Sequence, residues 1–220
     1  MVEAKQSPQR IRFFRQQMNN MITKACKDIG IPSAASRRAI ALQQWLDERM
    51  TKLYPNQPNY QAANNPSVQM FSDPPQPLPE ALIGEKWTFV NLAANQFADM
   101  SDWQIGFGEA FPLEMVGVTP EMQIPGLILY SPRSVPMAAW MSGLEVISVR
   151  YQPAPKSRLL LETGANESWI LARLDGLTQQ EAARFEASKQ QANGVHFIAI
   201  QANPDTEEFA GFWLLHEVRE

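Results

Sequence analysis

The sequence predicts an α+β protein in two parts. A small, basic N-terminal α/β part, built strand-helix-helix, precedes a strand-rich α+β domain with a mostly antiparallel sheet. Three observations carry this. Residues 1–54 hold one alternating stretch and then two apolar stripes at helical spacing. Residues 55–80 hold seven of the chain's 17 prolines, and proline, with φ fixed and no backbone donor, favours an extended linker. Residues 81–220 carry closely spaced apolar or alternating runs separated by turn residues. A chain of 220 residues suits one large or two small domains.

Residues 1–9 lack periodicity and are expected to be disordered. In Arg10–Arg15 (RIRFFR), Ile11 and Phe13 alternate with Arg10 and Arg12, as a strand requires. Gln16–Ile29 reads as a helix with Met18, Met21, Ile22, Ala25, Cys26 and Ile29 on its buried stripe and Gly30 as the stop. Ser36–Met50 (SRRAIALQQWLDERM) is a second helix, its stripe made by Leu42, Trp45, Leu46 and Met50 and continued by Leu53. Trp45 lies on that stripe, so core packing is its expected role. Cys26 lies on the first stripe and reads as an inert core thiol.

Beyond the prolines, strands are expected at Lys86–Leu92, Gly126–Tyr130, Glu145–Tyr151, Arg158–Glu162, Ser168–Arg173, Val195–Gln201 and Phe209–Val218. A short helix fits Val135–Met141, with Ser134 as cap, Pro136 in the first turn and Gly143 after it. A longer helix fits Thr178–Gln191, with Thr178 and Glu181 at capping-box spacing. The strands at 145–173 suggest a meander, followed by a helix and two final strands, with helices on one face of the sheet.

Net charge is −4, but unevenly spread. Residues 1–54 carry ten Lys or Arg against four acids, and the remainder nine against nineteen. Such asymmetry points to an anionic partner for the basic half. The pI of about 5.3 argues against non-specific coating of nucleic acid. No apolar run reaches the roughly 20 residues of a membrane span. No apolar secretory segment opens the chain. One cysteine excludes an internal disulfide and a cysteine-based zinc site.

The second helix has an unusual charge order. Arg37 and Arg38 fall in its first turn and Asp47 and Glu48 near its end, the reverse of what the helix dipole favours. Either an anion sits outside the N-terminus between free N–H groups and guanidinium forks, or the two arginines pair with carboxylates elsewhere in the fold. Arg10, Arg12, Arg15, Arg37 and Arg38 are the candidate phosphate contacts, with Phe14, Trp45, Tyr54 and Tyr60 as neighbouring aromatics. Arginine contacts combined with aromatic stacking are how single-stranded RNA is held.

Other motifs are weak. Gly106-Phe107-Gly108 lacks the third glycine of a dinucleotide site. GFGEAF (106–111) resembles an RRM signature only superficially, because no basic residue precedes it and Pro112 follows. His196 and His216 would have to meet across a sheet to share a metal, and satisfied core histidines are the plainer reading. No G-x-S-x-G occurs. Asp205, Glu207 and Glu208, or Glu162, Glu167 and Asp175, form acidic groups without the lysine of a metal nuclease. No residue earns a catalytic or metal-binding role, and no cofactor is implied.

Seven strings occur in order: RIRFFRQQMNNMITKAC, SRRAIALQQWLDERM, GEKWTFVNL, GFGEAF, PMAAWMSGLEV, GVHFIAIQ and GFWLLHE. Together they resemble the TAB-two/ATAB-two family of cyanobacteria and chloroplasts, from about Gln9 to Glu217. That resemblance implies a non-enzymatic RNA-binding protein. Its expected role is to activate translation of photosystem I reaction-centre mRNA through AU-rich 5′ untranslated RNA, and to support photosystem biogenesis with photosystem or translation proteins as partners. It implies a cytoplasmic location in a cyanobacterium, or the chloroplast stroma for a processed plant or algal protein. Family members usually begin with a further segment carrying W-E-x-D-F-x-x-R-P, which this sequence lacks. The first domain is therefore expected to be partial, with RIRFFR as an exposed edge. The rival readings are a protein-only photosystem assembly factor and a degenerate metal-dependent nuclease. The expected division is 1–54, 55–80 and 81–220.

Overall fold

A computed structural model describes residues 7–13, 18–35, 40–58, 60, 74–164 and 167–217. Its contacts group the chain into two compact units: residues 1–72 with 164–166, and residues 73–163 with 167–220.

In the first unit, strand β1 (Ile11–Phe13) pairs in parallel with β2 (Ser33–Ala35), and helix α1 (Asn19–Asp28) connects them. The Ile11 N–H also donates to the Pro32 carbonyl at 2.9 Å. Helix α2 (Ile40–Glu48) follows and runs into a wider π turn, Arg49–Leu53, and then a 3₁₀ turn, Tyr54–Asn56. The helices form where their stripes predict, but the stripes are not all covered. In α1 Cys26 is buried, whereas Met21 and Ile29 are exposed. A two-stranded sheet is too narrow to cover a full apolar face. Ser36, at the expected start of the second helix, lies outside the described residues.

The second unit has two sheets. The larger has strand order β4 (Lys86–Ala93), β6 (Gln123–Tyr130), β10 (Val195–Gln201), β11 (Phe209–His216), β5 (Ile105–Glu109). The β4–β6 and β10–β11 pairs are antiparallel, while β6–β10 and β11–β5 are parallel. The smaller sheet is the expected antiparallel meander, β7 (Val146–Gln152), β8 (Arg158–Thr163) and β9 (Glu167–Arg173). A two-residue strand, β3 (Gln76–Pro77), is added to β9. Pro77 can occupy this site because an edge strand needs no donor on its outer side. Leu82, a little further on, is buried in the core of this unit. The fold is thus α+β and strand-rich, with its strands divided between two sheets.

Both faces of the larger sheet are covered, and strand alternation assigns their residues. Leu127, Leu129, Ile198, Ile200, Trp213 and Leu215 pack with helix α3 (Ser134–Gly143), helix α4 (Gly176–Gln191) and the meander. Ile124, Phe197, Ala199, Phe212 and Leu214 face the other way, onto the 3₁₀ segment Ala94–Asp102 and the chain around Val118. Phe197 and Phe212 stack at 5.1 Å. Gly126 is opposite Phe197, and a Cβ there would fall 2.1 Å from that ring.

Two expected helix starts are corrected, and β5 is a strand that the apolar runs did not predict. Helix α3 begins at Ser134 with Arg133 as its N-cap, so Ser134 lies inside the first turn. Helix α4 starts earlier than Thr178, because Asp175 is its N-cap. The Asp175 N–H donates to the Thr178 hydroxyl at 2.8 Å, so Thr178 closes the cap from inside the first turn. The string GFGEAF contributes an edge strand, β5. A Cβ on Gly108 would sit 2.0 Å from the Phe212 carbonyl oxygen, which explains a glycine there.

The meander's outer strand β7 is joined to the rest of its unit by buried polar side chains. The Val149 N–H donates to His196 Nε2 at 2.9 Å, so that ring carries its proton on Nδ1, facing the Gly194 carbonyl at 3.0 Å. The Val149 carbonyl accepts from Lys189 Nζ at 2.9 Å. The Tyr151 N–H donates to Glu186 at 2.7 Å. Lys189 is 2% exposed and also pairs with Glu186 at 2.9 Å and Glu217 at 2.5 Å. Lys189→Met leaves two carboxylates and a buried carbonyl without their cation, so it is expected to cost about 3–5 kcal/mol in urea denaturation.

His216 is on the opposite face of the larger sheet from His196, because it pairs with Val195 and His196 pairs with Leu215. The two rings therefore cannot share a metal. His216 Nε2 donates to the Asn193 carbonyl at 3.1 Å, while its Nδ1 is buried with no partner. Burial lowers its pKa from 6.5, against smaller raising effects from that hydrogen bond and from Glu217. The unfolded chain therefore binds more protons between the depressed folded value and 6.5. Stability rises with pH through that window and is lost as pH falls. Urea midpoints measured at about pH 7.5 and about pH 5.5 are expected to differ less in His216→Gln than in the parent.

Candidate nucleic-acid interface

The cations predicted from the sequence are only partly within the described structure. Arg10 is exposed just before β1, and Arg12 is half-buried in β1 opposite Ala34. Arg15, Arg37 and Arg38 lie outside the described residues, as does Phe14. Two of the five predicted arginines are thus described, Arg12 in β1 and Arg10 just before it.

Trp45 is not a core residue. It is 48% exposed on α2, and Leu42, Met50 and Leu53 of the same stripe are exposed with it. Sequence spacing could place these residues on one face, but not say whether anything covers that face. One turn on from Trp45, the Arg49 guanidinium lies over the indole ring, 4.0 Å from its centroid. Arg49 Nε is buried with no hydrogen-bond partner. The pair is an (i, i+4) neighbour on a helical surface, and Arg49 opens the π turn that carries the helix onward. An indole with an arginine stacked on one face offers a flat, cationic surface, suited to an unstacked base and its phosphate. Tyr60 is also exposed, and Tyr54 is half-buried. Arg49 was absent from the predicted contacts, though its spacing from Trp45 could have indicated it.

Nearby charges are partly neutralised. Lys52 pairs with Glu48 at 3.6 Å, an exposed contact of small energy. The second unit offers phosphate little in one long stretch. Residues 87–132 contain five acids and no Lys, Arg or His.

Two of the acids considered for metal chemistry, Glu162 and Asp175, have structural uses. Glu162 accepts from Arg150 at 2.8 Å and from Ser148 at 3.1 Å, and Asp175 caps α4. Among the described residues no group of three or more His, Cys, Asp or Glu could hold a metal ion. No helix among them is long and apolar enough to cross a membrane.

The chain belongs to a family of RNA-binding proteins. Residues 1–49 match the family model described as RNA-binding protein Tab2/Atab2 N terminal. Residues 65–216 match the one described as RNA-binding protein Tab2/Atab2, C-terminal domain. Among its relatives is a protein from Zea mays named Protein TAB2 homolog, chloroplastic, 36% identical over 94% of this chain and 55% of the relative. A protein of the same name from Arabidopsis thaliana is 38% identical over 94% of this chain and 57% of the relative. The chain thus spans little more than half the length of these curated relatives. No solved structure matches it.

Because Trp45 is exposed, Trp45→Ala is expected to change stability by less than ~0.5 kcal/mol, as at a surface site. Removing a core tryptophan costs about 3–5 kcal/mol. Denaturant titration of the full chain separates the two.

Proposed function

We propose that this protein binds single-stranded RNA through its N-terminal unit. The reading rests on the match of both parts of the chain to the RNA-binding Tab2/Atab2 family. Phosphates are held by Arg10, Arg12, Arg15, Arg37 and Arg38. A base stacks on the open face of Trp45, with Arg49 behind the ring. No step of this function requires a cofactor, a metal or catalysis.

The finer reading is a translation activator for photosystem I reaction-centre mRNA. It would hold AU-rich RNA of the 5′ untranslated region and, with photosystem or translation proteins, support photosystem biogenesis. The location proposed with it is the cytoplasm of a cyanobacterium, or the stroma for a processed plastid protein. Two relatives carry the word chloroplastic in their names.

Fluorescence anisotropy with a labelled AU-rich single strand tests this reading. Trp45→Ala is expected to weaken binding by about 1–3 kcal/mol, the worth of one stacked base. Arg37→Glu with Arg38→Glu is expected to flatten the slope of log K against log salt by about one per lost phosphate contact. An unchanged slope in a folded double variant removes these two arginines from the interface. Absence of RNA binding by the full chain removes the function.

A further inference from the structure

The larger sheet ends on one side in strand β4 (Lys86–Ala93), which pairs with β6 and with no other described strand. Every residue of β4 keeps some exposure, whereas all seven of β10, in the middle of the sheet, are buried.

Register fixes which backbone groups of β4 point outward. The Ala94 N–H donates to the Met122 carbonyl at 2.8 Å, and alternation along an antiparallel pair then turns Thr88, Val90 and Leu92 towards β6. Pro125 has no N–H to give, and it falls opposite Asn91, which turns the other way. Trp87, Phe89 and Asn91 therefore direct their N–H and C=O groups away from the sheet. Among the described residues these groups have no partner, except that the Thr88 hydroxyl reaches the Phe89 carbonyl at 3.4 Å. The open row is bounded at both ends. The Ala93 N–H donates to Gln96 Oε1 at 3.0 Å, and the Glu85 N–H donates to the Tyr130 carbonyl at 3.0 Å.

Edges are ordinarily guarded by shortness, proline, charge or a covering group. Strand β3 is two residues with Pro77, β5 is five residues, and the edge of β7 is taken by His196, Lys189 and Glu186. Residues 87–93 of β4 contain no charge and no proline. The unit also holds an apolar pocket of about 610 Å³, lined by Phe97, Phe111 and Leu214 among others. Apolar contact selects no particular occupant, whereas a row of alternating donors and acceptors accepts only an extended backbone.

We infer that two copies of this chain pair through their β4 edges, antiparallel about a twofold axis at Phe89. The open row is three residues long and symmetrical about Phe89, so a second copy satisfies it completely. Trp87 of one copy faces Asn91 of the other, Phe89 faces Phe89, and each facing pair exchanges both of its backbone bonds. Thr88 comes opposite Val90, a β-branched pair, and Lys86 comes opposite Leu92, so no like charges meet. Beside the edge, a groove of about 190 Å³ between β4 and α4 carries the exposed Glu181 and Arg184. A twofold axis sets this acid and base against their own copies in reverse order, so each carboxylate is offered a guanidinium. The pairing is independent of RNA binding by the first unit.

The test uses the full chain, freed of RNA by nuclease, in sedimentation equilibrium over a wide range of concentration. The mass is expected to rise to twice the 24.8 kDa of one chain. Asn91→Pro removes one outward N–H and no bond to β6, so the variant is expected to stay folded by circular dichroism and to remain monomeric. Asn91→Ala keeps that N–H and is expected to dimerise as the parent does. Amide exchange of the parent reads the register without any variant: the N–H groups of Trp87, Phe89 and Asn91 are expected to exchange more slowly in the dimer than in the dilute monomer. A parent that is monomeric throughout overturns the inference, as does a folded Asn91→Pro that still dimerises or an Asn91→Ala that does not. It is also overturned if the three amides exchange equally fast in both states, or if they are already protected in the monomer, which would mean that the edge is covered from within the chain.

Discussion

The second unit depends on how the outer edge of β7 is satisfied. An edge strand carries unpaired N–H and C=O groups along one side, and burying them without partners is costly. Here the edge is buried, and side chains take the place of a neighbouring strand. His196 and Lys189 take the two backbone groups of Val149, and Glu186 takes the Tyr151 N–H. These side chains come from β10 and α4, so the bonds that satisfy the edge also tie the meander to the larger sheet and its helix. Lys189 is held by two carboxylates, which makes its burial tolerable.

The larger sheet then separates two environments. One face meets regular elements, α3, α4 and the meander, and residues such as Met137, Leu161 and Ile198 fill the space between them. The other face is covered by a 3₁₀ segment and irregular chain. Such segments follow the sheet less evenly than helices do, and an open pocket is left between them. The same sheet thus supplies a dense core on one side and a concave, apolar surface on the other.

The first unit contrasts with this. Its two short strands bury Phe13 and, with α1, Cys26, while apolar side chains of α1 and α2 are exposed. Cations and an accessible indole occur together here, with Arg49 against the Trp45 ring. The charge asymmetry of the chain therefore has a structural counterpart. The stacked Arg49 and the exposed indole of Trp45 lie in the basic unit, and the apolar pocket lies in the acidic one.

Much of the fold was legible in the residues. Short apolar or alternating runs bounded by turn residues located β7, β8, β9, β10 and β11 to within a few residues, because strands covered on both faces are apolar throughout and half-covered ones alternate. The same rule implied that His196 and a residue two positions away share a face, but not that His216 lies across the sheet from it, which strand register decided. β5 was hidden because its glycines have low strand propensity, and the closeness of the Phe212 carbonyl is visible only once β11 is beside it. Asp175 was passed over as a cap because Thr178 and Glu181 offered a competing capping box three residues on. For the candidate interface, Trp45 was identified but misjudged, since periodicity describes the face a residue shares and not what covers it. By itself the sequence determined the long helices and most of the long strands, the division of charge and the family, all of which depend on local order along the chain. Tertiary structure alone decided which edge is satisfied by which side chain, which apolar stripe remains open, and where the sheet is left with a pocket. Those outcomes depend on residues far apart in sequence meeting in space.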